Sequence, residues 1–311
     1  MIVLCMPANS MLKLNETSGY VGRFAPSPSG PLHFGSLVAA LGSYLQARKA
    51  QGRWLVRIED IDPPREVKGA SQLILDTLEQ HHLLWDEAPV FQSQRSALYD
   101  SRIADLIDQG LTYYCHCTRA ELATLGAGNL CPCASMQQAR AGAAIRFNNS
   151  HAPQQFFDLV QGHVLANNSD NEAQFAIKRK DGLYAYQLAV VADDIAQGVS
   201  QIVRGADLLH ATFYQLALYQ ALGVTAPSYA HLPVVESLPG QKLSKQNHAP
   251  ALDNKTARQN IIDALTFLGL EPTTVLKSAQ ITDLLEWAVN VWELKAIPAK
   301  LASNDNRIQA L

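Results

Sequence analysis

From Tyr20 to Phe24 the chain reads as a short apolar strand, and it then enters Ala25-Pro-Ser-Pro-Ser-Gly-Pro31. Three prolines and a glycine forbid helix or central strand, so the chain must make a fixed loop there. From Leu32 the period becomes helical, with Leu37, Leu41 and Leu45 at i, i+4 and i+8. Trp54 to Ile58 predicts a second strand, ending in Glu59-Asp60-Ile61-Asp62 and a Pro-Pro stop. Val67 to Leu84 and Ala97 to Leu111 predict two helices. This alternation is that of a parallel α/β unit, in which ligands sit at the carboxyl ends of the strands. The segments Arg23 to Gly30 and Glu59 to Asp62 both fall at such ends.

Residues from about Tyr113 to Lys180 break the rhythm. They hold four of the five cysteines and short β-like runs at Ala144 to Phe147, Phe156 to Val160 and Phe175 to Lys178. They read as an insertion between two halves of the sheet. The α/β alternation resumes at Tyr184 to Val191, Gln201 to Val203, the helix Thr212 to Leu222, and Tyr229 to Val235. From about Ala251 the chain is helix-forming with no strand signals. The expected organisation is an N-terminal extension (1–19), the first half of a nucleotide-binding core (20–112), an insertion (113–182), the second half of the core (183–240), and a loop with a helical appendix (241–311).

With 311 residues, 48% hydrophobic and 17% charged, the chain can bury a sizeable core. The net charge of −3 gives no global electrostatic reason to expect a polyanion partner. The apolar run Leu183 to Ala192, interrupted by Gln187, falls well short of the ~20 residues that span a bilayer. The start lacks a basic signal region. A cytoplasmic location is expected, with cysteines as thiols or metal ligands rather than disulfides.

Candidate chemistry gathers at four places. His33-Phe-Gly35-Ser36 opens the first helix, where free backbone N–H groups suit a phosphate and a glycine admits a nucleotide. Lys242-Leu-Ser244-Lys245 offers two lysines on a glycine-preceded loop, suited to a pyrophosphate leaving group. Arg23 offers a bidentate fork for a carboxylate, Glu59 an anion for an ammonium, Arg204 a second guanidinium and Tyr186 a hydroxyl. Finally, Cys115-His-Cys117 and Cys131-Pro-Cys133, thirteen residues apart, can place four thiolates around one tetrahedral zinc. His116 is a further possible ligand, although its side chain should point away from its flanking cysteines.

On these motifs the sequence resembles the class I aminoacyl-tRNA synthetases, specifically the glutamyl subgroup. The His33 segment is similar to their first signature motif, with Ser36 in place of a final histidine, and Lys242 to Gln246 is similar to the second. The resemblance implies a Rossmann-like core, ATP with Mg²⁺ as substrate, and His33 and Lys245 as catalytic groups. ATP would contact His33, Gly35, Ser36, Lys242, Ser244 and Lys245. Glutamate would be held by the segment Arg23, Phe24, Ala25, Pro26 and Ser27, together with Glu59, Tyr186 and Arg204. Relatives bind a structural zinc through three cysteines and a tyrosine. Here Asn129 stands where that tyrosine is expected, and Cys131 is the natural substitute. The chain ends about sixty residues beyond the lysine motif, which is too short for a large anticodon-reading domain. This looks like the truncated subtype that transfers glutamate to queuosine in tRNA(Asp), with an adenylate step that needs no tRNA. Two alternatives stay open: a shortened enzyme charging a tRNA 3′ end, and a non-catalytic nucleotide- or RNA-binding relic.

Overall fold

The computed structural model describes residues 19–125, 131–148, 153–166, 174–238, 241–242, 249–300 and 302–304. The first half of the core comprises β1 (Val21–Phe24), α1 (Phe34–Lys49), β2 (Arg53–Ile58), α2 (Ala70–Gln80), β3 (Val90–Phe91) and α3 (Ser96–Asp108). The middle of the chain supplies β4 (Thr112–Cys115), α4 (Arg119–Thr124), β5 (Ala144–Asn148), β6 (Gln155–Asp158), β7 (Gly162–Leu165) and β8 (Gln174–Lys178). The second half is α5 (Tyr186–Ala196), β9 (Gln201–Gly205), α6 (Ala211–Ala221) and β10 (Ser228–Leu232). Then come β11 (Val234–Leu238), β12 (Gln241–Lys242), α7 (Ala257–Phe267), α8 (Thr274–Ser278), α9 (Ile281–Val291) and β13 (Ala302–Asn304).

Strands β1, β2 and β3 pair in parallel, with Arg23 opposite Leu55 and Ile58 opposite Phe91. Strands β9 and β10 also pair in parallel, with Arg204 opposite His231. The two groups meet where Ser200 donates its backbone N–H to the Val21 carbonyl at 2.9 Å. The strand order therefore reverses between β1 and β9, and an open α/β sheet forms its ligand crevice at such a reversal. Arg23 and Arg204 are the penultimate residues of the two strands that flank it.

Helix α1 lies across this reversal and is buried on more than one side, with Leu37, Leu41 and Leu45 wholly inaccessible. Its second buried face is covered by the C-terminal helices: Ile261 and Leu265 of α7, Leu284 and Ala288 of α9, and Trp292 join the same hydrophobic core. Burying each large aliphatic or aromatic side chain contributes about 1.5–3 kcal/mol, so this region is part of the core and not a loose appendix.

The structure differs from the sequence reading in three places. The run Tyr184 to Val191 lies mostly in helix α5. Leu188 to Ala192 are buried without interruption among α3, α6 and β8, so no alternation or stripe marks the period. The β6–β7 hairpin leaves the insertion and pairs with β10, extending the second half of the core, while β4, β5 and β8 form a separate antiparallel sheet. The C-terminal stretch also contains a strand, since β13 pairs with β11.

Candidate functional site

The proline-rich loop is fixed by its neighbours. Glu59 donates its backbone N–H to the Pro26 carbonyl at 3.0 Å, and Val67 donates to Pro28 at 2.9 Å. This ties the exit of β1 to the exit of β2 and sets Arg23 and Glu59 side by side. His33 is the N-cap of α1, and its Nδ1 accepts the Ser36 N–H at 3.3 Å. Gly35 and Ser36 then lie in the first turn, at the positive end of the helix dipole.

A cavity of about 610 Å³ opens at the sheet reversal. Arg23, Phe24, Ala25, Pro26, Ser27, His33, Gly35, Ser36, Glu59, Tyr186 and Arg204 all line it. The structure thus brings together the residues nominated for the amino acid and, of those nominated for ATP, His33, Gly35 and Ser36. Ser244 and Lys245 lie outside the described residues. Their flanks are described: β11 leaves the cavity wall at Val234, Lys242 pairs back with Glu236, and Ala251 forms a β-bridge with His33.

Beneath the cavity lies a buried ionic cluster that sequence reasoning did not identify. Arg23 uses Nε and Nη2 to grip Asp194 at 3.1 and 3.3 Å, so that fork is occupied by protein. The end-on face, Nη1 with Nη2, is what remains for a ligand carboxylate. Arg57 contacts Asp194 at 2.8 Å, Asp193 at 3.7 Å and Glu59 at 3.8 Å. Asp193 also accepts from Gln92 Nε2 and the Tyr99 hydroxyl, both at 2.8 Å, and pairs with Arg95. The paired aspartates were visible in Ala-Asp-Asp, but no sequence feature tied them to Arg57, the penultimate residue of β2, 136 and 137 positions earlier.

Electrostatics separate the carboxylates. Burial disfavours ionisation of Asp194, but Arg23 and Arg57 outweigh it and hold its pKa below the ordinary value. At Glu59 burial wins: its pKa is pushed up to about 7 against the pull of Arg57 and Arg23, helped by Asp194 and Asp193. Glu59 is 8% exposed, and its Oε1 has no hydrogen-bond partner among the described residues. That oxygen is inaccessible and faces Arg57 Nη2 at 3.8 Å, so it is the rest of the Glu59 carboxyl group, in the cavity lining, that can meet a ligand ammonium. Burial, with Glu59 nearby, also raises the pKa of the Tyr186 hydroxyl, which stays a neutral donor.

The cysteines converge as the spacing suggests. The Sγ atoms of Cys115, Cys117, Cys131 and Cys133 all lie within 4.8 Å of one another. Cys131 stands 3.6 Å from both Cys115 and Cys117, and Cys117 stands 3.7 Å from Cys133. Tetrahedral zinc with bonds of ~2.3 Å requires sulfur–sulfur spacings of about 3.8 Å, so the donor set fits that ion. His116 is not in the cluster, and Asn129 lies outside the described residues. Outer contacts fix the site: Gln174 Oε1 accepts the Cys131 N–H at 2.9 Å and the Tyr113 hydroxyl at 2.6 Å, and Arg146 Nε donates to that hydroxyl at 2.9 Å.

A parallel core with a ligand crevice at its reversal, a histidine-capped helix and a four-thiol insertion together define a class I tRNA synthetase catalytic domain. Residues 20–130 and 131–274 match the family described as tRNA synthetases class I (E and Q), catalytic domain. A glutamyl-Q tRNA(Asp) synthetase from Escherichia coli O6:H1 is 49% identical over 96% of this chain and 97% of its own length. Its counterpart from Vibrio cholerae is 49% identical over 92% of this chain and 95% of its own. The chain belongs to this family, among the relatives named glutamyl-Q tRNA(Asp) synthetase. A crystal structure of the glutamate-tRNA synthetase from Elizabethkingia anophelis shares the fold, with a TM-score of 0.74 at 23% identity, covering 93% of this chain and 68% of that one. Among the described residues no helix is long and apolar enough to cross a membrane.

The Glu59 site has a stability signature. Its folded pKa, about 7, exceeds the ordinary 4.5, so the folded state holds this proton more tightly than the unfolded chain. Stability is therefore lost as pH rises from the ordinary carboxylate range through about 7. Glu59→Gln should melt at least about 2 °C above the parent at pH 8, with the gain shrinking toward pH 5. An equal or lower melting temperature at pH 8 would contradict the burial argument. For the thiol site, metal analysis should find about one zinc per parent chain and well under half of that in Cys131→Ser. Full zinc content in the variant would remove Cys131 from the ligand set.

Proposed function

We propose that this chain activates glutamate with ATP to glutamyl-adenylate, without requiring tRNA, and passes the glutamyl group to queuosine at the wobble position of tRNA(Asp). The presence of the nominated amino-acid residues in one cavity with His33, Gly35 and Ser36 carries this reading. The names of relatives sharing about half of its sequence over nearly its whole length supply the acceptor.

The roles follow from the geometry. The remaining face of the Arg23 guanidinium and one N–H of Arg204 bind substrate carboxylate oxygens, and Glu59 binds the α-ammonium. An α-carboxylate oxygen attacks the α-phosphorus of ATP, the bond to the β,γ-phosphates breaks, and pyrophosphate leaves. ATP enters as its Mg²⁺ complex, so the metal is part of the substrate. His33 and the α1 N-terminus stabilise phosphate oxygens, and Ser244 and Lys245 act with Lys242 on the departing pyrophosphate. In the second step a hydroxyl of the queuosine cyclopentene-diol attacks the activated carbonyl. An ester forms, AMP departs, and the adenylate phosphate accepts the hydroxyl proton. No covalent enzyme intermediate is required, because positioning and charge stabilisation suffice. Zinc held by the four cysteines has a structural role, since all four positions around it are filled by sulfur.

Charging of a tRNA 3′ end is the less favoured reading, because the relatives are named for tRNA(Asp) glutamylated at Q. A non-catalytic relic is disfavoured by the retention of His33, Glu59 and both arginines in one cavity. Incubation with ATP and labelled glutamate should label tRNA(Asp) that carries queuosine and leave tRNA(Asp) lacking it unlabelled. Label on both, or on neither, contradicts the proposed acceptor.

A further inference from the structure

Arg204 is held by more protein contacts than a surface ligand needs. Its Nε donates to His231 Nε2 at 3.0 Å and its Nη1 to Gln215 Oε1 at 2.8 Å. Its Nη2 donates to Thr212 Oγ1 at 2.8 Å and to the Leu208 carbonyl at 3.3 Å. Among the described residues four of its five N–H groups have acceptors, and one on Nη1 is left for a ligand. The direction of that single N–H is therefore set by the groups behind the guanidinium.

His231 is the central one. It lies opposite Arg204 on the neighbouring parallel strand and is wholly buried. A guanidinium can only donate, so Nε2 of His231 must carry the lone pair and Nδ1 the proton. That proton points at Asp158 Oδ2, 2.6 Å away. Asp158, also wholly buried, is anchored through Oδ1 by the backbone N–H groups of Val160, Gln161 and His231 at 2.9, 2.8 and 3.1 Å. It closes strand β6, in the hairpin that leaves the insertion to pair with β10. A carboxylate, an imidazole and a guanidinium are thus linked in one buried line that ends at the cavity.

We propose that Asp158 and His231 are positioning residues that fix the imidazole tautomer and thereby aim Arg204 at the carboxylate of the amino-acid substrate. This rests on the reading of Arg204 as a substrate ligand. Neither residue lines the cavity, so both act through Arg204. The anchoring N–H groups oblige an asparagine at 158 to keep its oxygen toward the backbone. Its amide N–H would then face Nδ1, drive the histidine proton to Nε2, and set donor against donor at Arg204.

The test measures glutamate-dependent ATP–pyrophosphate exchange. An asparagine amide can reach the Nδ1 position of a histidine, and a glutamine amide the Nε2 position. His231→Asn keeps the Asp158 contact but loses the acceptor for Arg204, and should raise the KM for glutamate about tenfold or more, with the KM for ATP within about twofold. His231→Gln restores an acceptor and should recover most of that loss, while Asp158→Asn should behave like His231→Asn. Equal effects of the two His231 variants, or an unmoved glutamate KM, would overturn the proposal. So would nitrogen-15 NMR of the unmutated protein showing the His231 proton on Nε2, a result that does not depend on any variant folding. Arg204→Lys with an unchanged glutamate KM would overturn the underlying reading of Arg204 as well. A raised KM for Arg204→Lys beside an unaffected His231→Asn would overturn the positioning role alone.

Discussion

Arg57 has no contact with water, and three carboxylates surround it. Everything at the cavity floor depends on this arrangement. Removing Asp194, the carboxylate that Arg57 and Arg23 hold ionised, would cost several kcal/mol, because two buried guanidinium groups would lose their closest counter-charge. Asp194 answers Arg57 and Arg23 together, which immobilises the cavity-facing Arg23 guanidinium. Asp193 carries the constraint outward to Gln92, Arg95 and Tyr99, joining α5 to the first half of the core. Glu59 is buried with the others but loosely held: its Oε1 lies 3.8 Å from Arg57 and has no hydrogen bond among the described residues. A preorganised site of this kind places the electrostatic cost in folding, so that the substrate completes a charge pattern already in place.

The same logic operates on the opposite wall. Arg204 is held by neutral acceptors and by an imidazole backed by Asp158, and a carboxylate sits behind the guanidinium without touching it. The two walls therefore present cations of different character: Arg23 offers the outer face of a salt-bridged guanidinium, and Arg204 a single directed N–H. The proposed function uses both: an acidic amino acid would lie between the two arginines with Glu59 toward its ammonium.

The cavity lining was legible because its residues sit at strand ends marked by strong local signals: a loop of prolines, an acidic run before Pro-Pro, and a histidine just before a glycine-containing helical turn. The four-thiol site was legible for the same reason, as two short pairs with metal-ligand spacing. What escaped were partnerships set by strand register. Arg57, inside β2, reads as an ordinary strand position until α5 places two aspartates against it. His231 and Asp158 become partners only because the β6–β7 hairpin leaves the insertion to join β10, which no periodicity announces. Helix α5 was hidden by its own burial, since an element surrounded on all sides loses the stripe that would reveal its period. The C-terminal helices were legible as helices, but their role as the second cover of α1 was not.

Proton release on substrate binding tests the account most directly, because it asks whether the buried carboxyl exchanges its proton for an ammonium. Calorimetric titration of glutamate near pH 7, in buffers of different ionisation enthalpy, should show about half a proton released per glutamate bound, falling toward zero by pH 9. Binding heats that do not depend on the buffer at pH 7 would mean that Glu59 keeps its charge state throughout. The charge pattern described here would then not be what the substrate completes.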